Sequence, residues 1–427
     1  MSLGAGGLSP DRHVLPNGAV VLARQNRLTP AVTILAGFRA GSARDPDDQI
    51  GLAHLCARVL DRGTASRSAD QIADQLDGRG VALSVSVTRH LLSLSCTCLA
   101  EDFDRVLDLL GDVAMHPVFP DDEIVTKRGE VATAIRQDED SPAVMAIEGL
   151  FALLYPAPHP YGRRTRGTLE SLGRIDRQAL AAFHAAHVGP SSLSLVIVGD
   201  VEPPRALDAA GAVFGSWSGP AAGADGVPAA AQPASRRRTI VPMKGKSQVD
   251  IAYGFTTIRR DDPAYHPLVL MNNVLGQYAL GGRLGTSIRE EQGMAYYAFS
   301  AFEANVGEGP LVIRAGVNAA NVDRALASID REVAGLSGGG ATDREIEDSK
   351  LYLVGSMPRT LETNSGIAGF LQNAEFFGLG LDYDLRLPDL INAVTRDEVN
   401  QVARRFLHPD RAAVAIAGPY EGQEGGA

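Results

Sequence analysis

The stretch Gly51-Leu52-Ala53-His54-Leu55-Cys56-Ala57-Arg58 reads as a helix with Leu55 and Cys56 on its buried side. His54 and Arg58 are four residues apart and so project from one face, one turn from each other, while Cys56, two residues after His54, points away. Asp47 and Asp48, just ahead, are expected to cap this helix. Upstream, residues 13–23 carry an Asn17-Gly18 hairpin turn, Ala31-Val32-Thr33-Ile34-Leu35-Ala36-Gly37-Phe38 is a second strand, and a polar loop covers 41–48. Downstream, residues 69–76 form an amphipathic helix, and Arg79-Gly80 turns into a strand pair at 81–87 and 91–99. Helical spacing at 103–114, a long helix over 121–139 and an apolar strand at 193–201 complete the half. Helices interspersed with strands in this way point to an α+β class.

Residues 219–234 are low in complexity, rich in Gly, Pro and Ala, and unable to pack a core. They divide the chain into domains at 1–219 and 236–427 with a linker at 220–235. The same order of elements then recurs. Residues 249–255 read as a strand, 266–275 as a helix, 311–317 as a strand, 322–336 as an apolar-faced helix and 412–417 as a closing strand. Two halves with one element order indicate a duplicated α+β unit.

A chain of 427 residues, 45% of them apolar, suits two such cores better than one. Its formal charge of −11 argues against nucleic acid or an anionic membrane surface as the main partner, and Arg236-Arg237-Arg238 reads as a solvated linker end. The three cysteines, Cys56, Cys96 and Cys98, do not make a disulfide framework. No apolar run reaches the ~18 residues that a membrane span needs. The first seven residues lack the features of a secretory signal, and both a cytoplasmic and a periplasmic location stay open.

The chemistry turns on His54. In the motif H-x-x-E-H, two His one turn apart hold zinc while the Glu between them polarises a water molecule. Here Ala57 stands at the Glu position and Arg58 at that of the second His. The Gly-x-Ala ahead of His54 nevertheless resembles the pitrilysin, insulin-degrading enzyme and mitochondrial processing peptidase family. The helix at 121–139 resembles the one that brings that family's third zinc ligand, a Glu. Counting back from Glu139-Asp140-Ser141-Pro142 places the ligand at Ala134, or at Thr133 after a slip of one; neither binds zinc. Glu130, one turn away, reads as a surface carboxylate. His159-Pro160-Tyr161-Gly162, Gly167, Phe183 and the strand at 193–201 follow in the family's order, with His159 expected to be held by its turn rather than used in chemistry. The segment from Gly281-Gly282-Arg283-Leu284 to Arg289-Glu290-Glu291-Gln292-Gly293-Met294-Ala295-Tyr296 closely resembles a family segment that supplies an Arg and a Tyr to substrate, by position Arg289 and Tyr296.

The resemblance implies two homologous α/β-sandwich domains of the mitochondrial processing peptidase type, forming one half of a clam-shell that encloses unfolded peptide. It implies that Arg289 holds a peptide carbonyl or carboxylate and Tyr296 donates to an oxyanion. It also implies that Leu83, Ser84, Val85 and Ser86 form an edge to which peptide adds as a strand, and it places Gly281 and Gly282 among the substrate-binding residues, where glycine relieves crowding of backbone against backbone. His54 is left an orphan: this chain is expected to hold no metal, with zinc in a partner. The function so implied is the zinc-free subunit of a heterodimeric metallopeptidase, inactive alone and able to homodimerise in isolation. A structural or peptide-holding protein without a catalytic role ranks second. An active homodimer with unusual zinc ligands ranks third.

Overall fold

The computed structural model describes residues 7–221, 223, 226–277 and 282–422. In the first half, strands β1 (Asp11–Val14), β2 (Val20–Gln25) and β3 (Ala31–Phe38) lead into helices α1 (Leu52–Val59) and α2 (Ala69–Asp77). Strands β4 (Ser84–Val87) and β5 (Leu92–Leu99) and helices α3 (Phe103–Met115), α4 (Asp121–Glu139) and α5 (Pro142–Leu154) follow. After α6 (Leu169–Gly173) and α7 (Arg177–His187), β6 (Leu193–Gly199) and α8 (Pro203–Phe214) close the half. Beyond the linker lie β7 (Arg237–Pro242), β8 (Val249–Thr256), α9 (Tyr265–Asn272), β9 (Ala295–Phe302) and β10 (Pro310–Val317). Five helices, α10 (Val322–Gly339), α11 (Asp343–Thr360), α12 (Asn364–Phe376), α13 (Tyr383–Ala393) and α14 (Arg396–Phe406), precede the final strand β11 (Ala413–Gly418).

The two sheets have one topology. The first runs β1-β2-β6-β3-β5-β4 and the second β7-β11-β8-β10-β9. The pairs β2–β6 and β7–β11 are parallel, and every other pair is antiparallel. Superposing the orders matches β2 with β7, β6 with β11, β3 with β8, β5 with β10, and β4 with β9, which confirms a duplicated unit of mixed helix and sheet. It also sets β4 and β9 at equivalent sheet ends.

Contacts divide the chain into two compact units, one of Met1–Ile135, Arg164–Asp225 and Met357–Arg386, the other of Arg136–Arg163, Gly226–Ser356 and Leu387–Ala427. All strands of the first sheet precede residue 220 and all of the second follow residue 235, yet one helix from each half packs on the other half's sheet. Helix α5 lies on β8 and β11, where the alternation of β11 puts Ala413, Ala415 and Ala417 beneath it and Val414 and Ile416 in the opposite core. A Cβ on Gly149 of α5 would come within 3.2 Å of the Ala415 methyl, so the small face permits the close approach. Helix α12 covers β3 and β6: Asn364 donates to Ala31 O at 3.0 Å, and Gln372 Nε2 to Ser194 Oγ.

Cys96 and Cys98 alternate inward along β5, and Cys56 is buried in α1. Burial, more than the nearby carboxylate or thiol, pushes Cys56 and Cys96 up to about 12 and Cys98 up to about 11. Reactive thiolate is therefore scarce near pH 8. A thiol reagent is expected to leave the native chain essentially unlabelled on the minute scale and to modify all three cysteines in denaturant.

Candidate functional site

The cap of α1 is not the expected one. Gly51 enters the helix at φ +98°, and it is the carboxylate of Asp45, 4% exposed, that accepts from Gly51 N at 2.7 Å and Ala53 N at 2.8 Å. A side chain at 51 would also meet Arg166 O at 2.6 Å, so the glycine is required twice over. Leu52, Leu55, Cys56 and Ala57 face the core, His54 is half-buried, and Arg58 is exposed. Arg58 reaches α4, where its guanidinium donates to Glu130 Oε2 at 3.0 Å, and Glu130 Oε1 accepts from Lys127 Nζ at 2.7 Å. Lys127 and Arg58 hold the Glu130 carboxyl below the usual carboxylate range. Ala134 lies one turn further along α4.

The positions that the resemblance gives as zinc-ligating hold His54, Arg58 and Ala134, and the Glu130 carboxylate beside Arg58 is committed to two cations. This donor set does not fit a zinc ion: one imidazole beside a guanidinium falls short of the three ligands a catalytic zinc needs and adds a repelling charge. Among the described residues no three His, Cys, Asp or Glu side chains gather closely enough to hold a metal. Glu130 is exposed as its residue type suggests, but nothing in its local sequence signals the pairing with Arg58, 72 positions away.

In the second unit the segment after α9 departs from α-helical geometry. Residues 273–277 and 285–291 form π-helical turns, each wider than an α turn. Gly282 is buried where a Cβ would come within 2.7 Å of Gly276 Cα, a backbone-to-backbone approach that only glycine permits; Gly281 lies outside the described residues. Arg283 clamps the turn through paired bonds to Glu345 at 2.7 and 2.9 Å and a third to Gly340 O at 2.9 Å. Burial works to raise the Glu345 carboxyl, but the Arg283 guanidinium and the donors of Thr342 overcome it and bring the carboxyl down to about 2. A carboxyl depressed on folding stabilises above its unfolded value, here 4.5, and loses that contribution as pH falls toward 2. Glu345→Gln is expected to lower stability by about 2 kcal/mol at pH 7, with the gap to wild type closing below pH 4.5 in urea titrations.

Past that clamp, Arg289 is exposed on the second π turn and makes no side-chain hydrogen bond or ion pair among the described residues. It lines a cavity of about 610 Å³ with Gln277, Tyr297, Phe299 and Ala301. Tyr296 is the second residue of the end strand β9 and is 83% exposed, whereas its neighbour Tyr297 turns inward and donates to Asp250 Oδ1. At the end of the first sheet, Ser84 and Ser86 of β4 are exposed while Val85 and Val87 turn toward the core; Leu83 precedes the strand and packs on that core. His159, 8% exposed, accepts from Tyr161 N at 3.1 Å through Nδ1, which leaves Nε2 to donate to Pro228 O at 3.0 Å, so the turn holds it.

Comparison with known proteins bears on both halves. Residues 20–159 match the family model described as insulinase, peptidase family M16, and residues 174–353 the model described as peptidase M16 inactive domain. An uncharacterized zinc protease, YmxG, of Bacillus subtilis is 25% identical over 95% of this chain and 98% of its own. A Helicobacter pylori protein described as a non-peptidase homolog, YmxG, is 26% identical over 93% and 91%. A crystal structure from Pseudomonas fluorescens, described as a peptidase M16 inactive domain, superposes with a TM-score of 0.89 and 26% identity, covering 98% of this chain and 99% of that one.

Proposed function

Since the chain belongs to peptidase family M16, we propose that it is the zinc-free subunit of a heterodimeric metallopeptidase, contributing Arg289 and Tyr296 to peptide held at a zinc-bearing partner's site. One observation carries the proposal. The positions for metal chemistry on α1 and α4 are bridged by the Arg58–Glu130 ion pair, while a guanidinium with no side-chain partner among the described residues and an exposed phenol lie on the segment that resembles the family's substrate-contacting one. Arg289 suits a carbonyl or carboxylate through paired hydrogen bonds, and Tyr296 can donate to oxygen that gains negative charge. Peptide would add along β4 through main-chain bonds, with Ser84 and Ser86 outward, a mode that tolerates many sequences. The zinc protease names of relatives describe those proteins; the donor set here leads the other way.

The proposal is tested by co-purification with a zinc-bearing family member encoded in the same genome. A one-to-one complex whose zinc resides in the partner supports it. Stoichiometric zinc in this chain alone, lost on His54→Ala, overturns it. A peptide-holding scaffold without a catalytic role is the second reading, favoured by the non-peptidase description of the Helicobacter pylori relative; it differs in requiring no dependence of cleavage on Arg289 or Tyr296.

A further inference from the structure

The second unit contains another cavity, of about 590 Å³, that shares no lining residue with the one beside Arg289. It opens where β8 ends at Phe255-Thr256 and is bounded by the turn after β8, the end of α14, the loop before β11, and residues 230–233 of the linker. Its size falls within the range of small-molecule sites, about 300–1,000 Å³. Phe255, Ile258 and Phe406 are buried and give it an apolar floor.

The charges around that floor are unequally committed. Of the acidic residues, Asp261 faces Arg259 at 3.3 Å, Asp262 accepts from Ala264 N at 2.8 Å, and Glu308 accepts from Ala230 N at 3.0 Å. Arg405 and Arg411 make no side-chain hydrogen bond or ion pair among the described residues; Arg405 lies 4.6 Å from the Phe406 ring centroid. The hydroxyl of Thr256, a lining residue 2% exposed, has no partner among the described residues either. What the cavity leaves unsatisfied is therefore chiefly donor capacity on two guanidiniums, which match a planar carboxylate. Three carboxylates in the same wall would repel a dianion or polyanion. The geometry assigns this cavity as a binding site for a singly charged carboxylate with an apolar body, the chemistry of the free C-terminus of a short peptide ending in a large apolar residue.

Calorimetric titration of the full chain with acetyl-phenylalanine, its carboxamide and phenyl phosphate tests the assignment. The carboxylate is expected to bind saturably, at least tenfold more tightly than the amide and more tightly than the phosphate. Arg405→Ala and Arg411→Ala, both at exposed positions, are each expected to weaken it tenfold or more with unchanged thermal unfolding. Absence of binding at millimolar carboxylate, equal affinity for the amide, or wild-type affinity in both variants would overturn the site. Tighter binding of phenyl phosphate would overturn the carboxylate specificity. None of these measurements involves proteolysis or a partner, so the outcome stands apart from that of the subunit proposal.

Discussion

Arg289→Ala in this chain, paired with the proposed zinc-bearing subunit, is expected to cut peptide cleavage by about 100-fold to 1,000-fold, the cost of one transition-state donor worth ~3 kcal/mol. Arg289 has no internal partner to lose among the described residues, so its removal should leave the fold intact and the thermal midpoint unmoved. Tyr296, 83% exposed, offers the same clean test through Tyr296→Phe, which removes one hydroxyl and little packing. The two effects should separate kinetically. A guanidinium that holds a ground-state carbonyl acts partly through KM, whereas a phenol that donates only to a developing oxyanion acts through kcat. Arg289→Lys should recover little, because a point charge does not reproduce the paired geometry. Unchanged turnover in both Arg289→Ala and Tyr296→Phe would leave the peptide-holding scaffold as the better account.

The second large effect concerns folding. Residues 1–219 contain all six strands of the first sheet but not α12, which covers β3 and β6. Without that helix, Val196 and Val198, both fully buried in the whole chain, lie on an open sheet face. The complementary fragment, 220–427, lacks α5 and exposes the alanine face of β11 with Ala252 and Val312. Each fragment expressed alone is expected to aggregate or to unfold without a cooperative transition, and co-expression is expected to restore soluble material. A monomeric 1–219 fragment with a sharp urea transition would contradict the exchange of helices.

That exchange marks where sequence reading stops. Period-two alternation locates β8 and β11, and the Asn17-Gly18 turn locates the first hairpin, because these are local effects of pleat and turn geometry. Alternation also shows that β11 has a small face, but nothing local says that a helix from the other half will cover it. The cap of α1 escapes a local reading for a similar reason. Asp47 and Asp48 sit where a conventional capping residue would, yet a left-handed Gly51 turns the chain so that Asp45, six residues earlier, reaches forward to its N–H. At the site itself, the absence of a second His and a third ligand was legible in residue types alone. The Arg58–Glu130 pair that fills the gap was not, since α1 and α4 meet only in the folded chain. The π turns on either side of Gly282 are equally invisible in local sequence, as is the close approach of Gly276 to Gly282, six positions apart.

The most direct measurement is a titration of the zinc-bearing partner with this chain while cleavage of an unstructured peptide is followed. The subunit account predicts negligible cleavage by either protein alone and a rise to a plateau at one equivalent of this chain. Full activity of the partner by itself, unaltered as this chain is added, would contradict it.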